Sequence, residues 1–217
     1  MRRFSFVAVP RGVDFLNLEK ELVTAKGSDF ARIADLLGKV KHKEGDFKGA
    51  LEFYRKSAGA LESLVKTGGD KRIKFDYSCA LSNVSAALGE LGQAEEALQF
   101  AESSLVMRKT LLGSTHFAVA ESLTNIGRIL FMLGRIQRAA DAFEEALTLF
   151  LSHAEGKEDT PYVAIAYLNV GLAYQRHPSG LEEQGKKAIE KAARLATLVW
   201  GENHPETQVF KDSITWK

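Results

Sequence analysis

The sequence predicts an all-α solenoid of about four helix hairpins, closed by a capping helix at each end. Three observations predict it. One skeleton of small and apolar residues recurs four times, a glycine punctuates most copies where the chain must reverse, and turns rich in glycine or proline separate successive copies. The third copy is the clearest: Leu123, Ile126, Gly127 and Leu130, then Gly134, then Ala139, Phe143 and Ala146. Apolar residues three and four apart make one face of a helix, so each copy reads as two antiparallel helices joined by a tight turn.

Residues 1–13 form an N-terminal arm or a very short mitochondrial presequence, because Arg2, Arg3 and Arg11 are basic and no acid precedes Asp14. Residues 14–217 read as a single solenoid domain. Asp14 is placed to cap a short helix through about Ala25, whose Phe15, Leu18 and Leu22 would cover the first hairpin. The hairpins follow at residues 29–66, 74–112, 115–155 and 160–200, and a last helix over 205–217 supplies Val209, Phe210, Ile214 and Trp216 to close the other end.

In the first hairpin Ala34, Leu37 and Gly38 precede Gly45, then Ala50 and Tyr54. In the second, Leu81, Val84, Ser85 and Leu88 precede Gly92, then Ala97 and Ala101. Gly38, Gly127 and Gly171 are small enough to admit the partner helix closely, and Gly45, Gly92 and Gly134 stand where a positive φ ends the first helix. The fourth copy has Tyr167, Val170, Gly171 and Tyr174. Its turn is longer, and anchoring the second helix on Ala188 makes the connection five residues longer than in the third copy. Proline opens a helix at Thr160-Pro161 and His204-Pro205, where its missing N–H costs nothing.

Composition excludes several classes of function. The 217 residues hold 29 basic and 28 acidic side chains, for a net charge of +1, which gives no global field to hold nucleic acid or an anionic membrane. No stretch is long and apolar enough to predict a membrane span. Cys79 is the single cysteine, so no intramolecular disulfide or cysteine-based zinc site can form, and an intracellular, cytoplasmic location is expected, with a mitochondrial one as the alternative.

The repeated residues resemble the tetratricopeptide repeat family. The spacing exceeds that family's usual period of about 34 residues. Together with the Leu112-Gly113 to Asn125 and Gly201 to Pro205 segments, it resembles the long repeats of kinesin light chains. The resemblance implies a right-handed superhelix whose first helices line a concave groove that binds an extended peptide or a helix of a partner protein.

Residues of this sequence that would line such a groove can be named. Asn83, Asn125 and Asn169 hold one phase of three successive first helices. Asparagine is a mediocre helix former, and its amide both donates and accepts, which suits a grip on the main chain of a peptide. The same recurrence suits a hydrogen-bond ladder between adjacent repeats. Ser82, Thr124, Arg128, Phe131, Gln175 and Arg176 are expected near the groove, with Lys39 from the first hairpin. Three amides making about six bonds contribute roughly 6 kcal/mol, against an association cost of about 4–15 kcal/mol. Apolar or charged anchors must add to them, and Arg128 is placed to meet an acidic ligand residue. The clamp for a carboxylate-terminated chaperone tail, as the family implies it, maps onto Arg32, Leu36, Asn83, Glu121 and Asn125; only Asn83 fits outright.

No catalytic residue, metal site or cofactor is predicted. The sequence has no phosphate-binding loop, no dinucleotide fingerprint, no His-Glu-x-x-His and no nucleophile elbow. His116 and His204 share a turn position and read as hydrogen-bonding turn residues. The function predicted is therefore a non-enzymatic adaptor that binds a protein partner, with an architectural subunit of a larger complex as the alternative. An RNA-reading helical repeat is a distant third, because it needs a basic groove.

Overall fold

The computed structural model describes residues 15–214, and these form ten α-helices without a strand. The expected arm, the Asp14 cap and Trp216 lie outside the described residues. The chain divides into two compact units, one ending at Gly113 and the other beginning at Ser114.

The first unit holds α1 (Phe15–Thr24), α2 (Gly27–Glu44), α3 (Phe47–Lys66), α4 (Lys71–Glu90) and α5 (Ala94–Leu112). Each helix packs on the next, and the first helices α2 and α4 also touch. The second unit repeats the plan with α6 (Phe117–Met132), α7 (Ile136–His153), α8 (Pro161–Tyr174), α9 (Glu182–Trp200) and α10 (Pro205–Ile214). The all-helical succession of hairpins is the predicted one.

Local chemistry accounts for where helices begin and end. Asp46, Asp70 and Thr160 accept backbone N–H bonds from Gly49, Ile73 and Val163 at 2.9, 2.9 and 3.3 Å. These bonds satisfy donors that the first turn of a helix leaves open. Gly45, Gly92 and Gly134 take φ of 81°, 78° and 71° at the three tight turns, a region where any Cβ would be strained.

Packing within a hairpin turns on one small residue meeting one large one. A Cβ on Gly38 would lie 2.5 Å from the Tyr54 ring, and a Cβ on Gly127 would lie 2.5 Å from the Phe143 ring. Both rings are fully buried, and burial of each stabilises its hairpin by about 1.5–3 kcal/mol. The second hairpin inverts the pair. Ser85 replaces the glycine, Ala101 replaces the ring, and the Ser85 hydroxyl donates to the Ala97 carbonyl at 2.8 Å.

The fourth hairpin corrects the sequence expectation. Gly171 meets Ile189, whose Cγ1 would lie 2.5 Å from an added Cβ, and Gly185 faces the Gly171 carbonyl. Ile189 therefore plays the part of Tyr54 and Phe143, and Gly185 rather than the half-buried Ala188 marks the tight crossing. The connection is two residues longer than in the third hairpin, not five.

The caps differ in how firmly they sit. No residue of α1 is fully buried; Phe15, Leu18 and Leu22 are half-buried against α2, while Leu16 and Val23 stay exposed. In α10, Phe210 and Thr207 are fully buried, and the Thr207 hydroxyl lies 2.8 Å from the Gly201 carbonyl and 3.2 Å from that of Ala196.

Candidate functional site

In the first unit the residues picked from the sequence belong to a hydrogen-bonded link between first helices. Asn83 of α4 donates from Nδ2 to Asp35 Oδ1 of α2 at 2.6 Å, and Lys39 Nζ lies 2.7 Å from Asp35 Oδ2. Lys39, Asp35 and Asn83 thus form a chain across α2 and α4, and the ladder describes this asparagine. The carboxyl of Asp76, on the same helix as Asn83, is raised above its ordinary range, first by burial and then by the nearby charges of Asp35 and Asp70. Arg72, 4.0 Å away, opposes that shift.

Ser82 turns away from Asn83. It is buried, and its hydroxyl shares a 2.9 Å bond with Ser104 of α5, which also donates to the Ser78 carbonyl. Ser82 therefore serves the α4–α5 interface rather than a ligand-facing surface. The buried Arg108 extends this polar seam, donating from Nε to Ser78 Oγ and from Nη2 to Cys79 Sγ, both at 3.4 Å. It stands at the register held by Leu61 and Phe150 in the first and third hairpins.

The second unit treats its asparagines differently. Asn125 of α6 is half-buried, and its amide has no hydrogen-bond partner among the described residues. Asn169 of α8 is 4% exposed, and its Nδ2 is enclosed without a partner. Thr124 is half-buried and donates to the Ala120 carbonyl of its own helix at 2.9 Å. Gln175 follows the last residue of α8, and Arg128 is half-buried on α6.

Arg176 and Phe131 come together. The guanidinium lies 4.8 Å from the centre of the Phe131 ring, and that ring is buried. A cation over an aromatic face is held by the ring quadrupole. Beside it, Tyr174 donates to Glu144 Oε1 of α7 at 2.7 Å; burial and then that bond push the phenol up to about 12. Tyr174 is therefore neutral at physiological pH and fixes the end of α8 that carries Gln175 and Arg176.

Sequence reasoning found the asparagine phase but missed Asp35, Ser104 and Arg108. A signal for Asp35 existed in its spacing from Lys39, four residues apart on one helix face. Arg108 had none, since a lone arginine in a helix ordinarily reads as surface charge.

The helices and their packing define a repeat protein of antiparallel hairpins. Residues 76–152 match the family model described as tetratricopeptide repeat. No curated protein matches the chain. Among solved structures, it is similar to BtubC (BKLC) from P. vanneervenii, at 21% identity and a TM-score of 0.69, covering 91% of this chain and 81% of that one. It is also similar to a kinesin light chain structure of nearly identical TPR-like repeats from Podosopora anserina, at 16% identity and a TM-score of 0.68, with 88% and 86% covered. The apo form of RapI matches at 15% identity and a TM-score of 0.66, over 93% and 73%. The tetratricopeptide repeat match is confined to residues 76–152, and the chain as a whole shares its fold with these solved structures.

Proposed function

We propose that the chain is a non-enzymatic protein-interaction module, and that the first-helix surface of its second unit, on α6 and α8, binds an extended peptide or a helix of a partner. Asn125 and Asn169 carry this reading, because neither amide donor is satisfied within the fold, whereas Asn83 is committed to Asp35. A buried donor left unpaired costs about 1–3 kcal/mol. A rotamer change at Asn169 that lets a peptide carbonyl accept its Nδ2 proton recovers that cost on binding. Asn125 offers a second main-chain grip, and Phe131 offers an apolar floor under Arg176.

The test uses an array of unbiased peptides probed with the whole chain. Peptides retained by the wild type are re-measured against Asn125→Ala with Asn169→Ala. Loss of two main-chain bonds should weaken binding by about tenfold or more. Equal affinity, with the double variant shown to be folded by circular dichroism, would sink the proposal.

A further inference from the structure

Each unit carries the same three positions across its pair of first helices and fills them differently. Counted from the small residue at each hairpin crossing, Asp35 stands three positions before Gly38 and Lys39 one after it, while Asn83 stands two before Ser85. The same count from Gly127 and Gly171 reaches Thr124, Arg128 and Asn169. In both units the two first helices touch, α2 with α4 and α6 with α8. Thr124, Arg128 and Asn169 are thus the counterparts of Asp35, Lys39 and Asn83.

In the first unit the three positions close into a satisfied link. Asn83 Nδ2 donates to Asp35 Oδ1 at 2.6 Å and Lys39 Nζ lies 2.7 Å from Asp35 Oδ2, so each oxygen of one carboxylate has its own partner. Bonds to a charged acceptor are the strong ones. In the second unit threonine removes the carboxylate from the middle of the link. The Thr124 hydroxyl donates to the Ala120 carbonyl of its own helix at 2.9 Å, and Asn169 Nδ2 is enclosed with no acceptor. Arg128, already engaged within the chain, keeps a positive charge at the register of Lys39. Buried amide donors are ordinarily satisfied, so this one marks a place that the chain itself leaves incomplete.

The first unit shows which chemistry completes it. The acceptor that Asn83 meets is an anion rather than a carbonyl, set beside a cation one turn along the same helix. The second unit repeats the amide and the cation and lacks the anion. Thr124 and Asn125 are half-buried rather than enclosed, so this part of α6 adjoins solvent. Nδ2 of an asparagine carries two protons. Asn169 can therefore give one to a peptide carbonyl and the other to a carboxylate.

We propose that threonine at position 124 leaves open, for an aspartate or glutamate side chain of the bound partner, the place that Asp35 fills from within the chain in the first unit. Thr124 is then the residue that sets the charge of the ligand, since an aspartate there would occupy the place itself. This rests on peptide binding at α6 and α8 and adds to it the chemical class of one ligand side chain.

Two measurements on the full chain test it. Array peptides with amidated C-termini that the wild type retains are remade with each aspartate changed to asparagine and each glutamate to glutamine, one position at a time. At one acidic position the change should weaken binding by about tenfold or more. Thr124→Asp should lower the affinity for the acidic form to that for the amide form or below. Equal binding of the two forms by the wild type, or an acid preference that survives Thr124→Asp, would overturn the proposal while leaving peptide binding itself intact. An array from which the wild type retains nothing would defeat both. Second, the thermal midpoint of Thr124→Asp should lie roughly 3–6 °C above that of the wild type, and the rise should vanish when both proteins also carry Asn169→Ala. No rise, or the same rise beside Asn169→Ala, would equally overturn the proposal. The comparison of acidic and amide peptides on the wild type needs no variant, and it decides the matter should Thr124→Asp fail to fold.

Discussion

Gly171 and Gly185 face each other backbone to backbone: a Cβ on either would lie 2.8 Å from the carbonyl oxygen of the other. At Gly38 and Gly127 an added Cβ would first meet the rings of Tyr54 and Phe143, whereas at Gly185 it would first meet backbone. Backbone atoms cannot step aside as a side-chain tip can. Gly185→Ala should therefore destabilise the chain by about 1–3 kcal/mol, although alanine is the better helix former. Ala188→Ser, three residues on and half-buried, should change stability by no more than about 0.5 kcal/mol. Urea unfolding of the two variants measures both. Equal midpoints would return the crossing to Ala188.

The same pair shows what the sequence could and could not reveal. The hairpin plan was legible because each copy repeats a small residue, a turn glycine and an apolar period, and helical geometry converts that pattern into faces without further information. The register of α9 was not legible, because Gly185 and Ala188 are both small and only the seating of Ile189 against Gly171 distinguishes them. The asparagine phase was equally legible, but its role was not. The partner of Asn83 is Asp35, 48 positions away, brought there by packing of α4 beside α2. In the second unit the equivalent amides find no such carboxylate, so one sequence signal has two structural outcomes.

The first hairpin carries polar atoms that its own packing does not use. Tyr54 Oη and Ser57 Oγ are enclosed without hydrogen-bond partners, and burial, then the charge of Asp35, pushes the Tyr54 phenol well above its ordinary range. At the same register the third hairpin has Phe143 and Ala146, which bury no polar atom. Tyr54→Phe and Ser57→Ala should each stabilise the chain by about 1 kcal/mol, the cost of an orphan hydroxyl. The checking measurement is the urea midpoint at unchanged m-value. Destabilisation by either variant would mean that the hydroxyl is satisfied, as by an enclosed water.

Ser85 and Ala101 hold the positions at which the first hairpin places Gly38 and Tyr54, and the third Gly127 and Phe143. Volume has moved across the helix pair, from the second helix to the first, and the Ser85 hydroxyl has found the Ala97 carbonyl. If the contact conserves volume, neither half of the exchange can be reversed alone. Ala101→Phe by itself drives a ring against the Ser85 side chain and should cost about 1–3 kcal/mol. Ser85→Gly by itself loses a buried bond and opens a gap beside Ala101, which is 2% exposed, at a cost of about 1–2 kcal/mol. Together they rebuild the glycine–ring contact, so the double variant should recover most of the loss. A double-mutant cycle should return a favourable coupling of about 1–3 kcal/mol. Additive losses would show that the two positions do not share one packing volume.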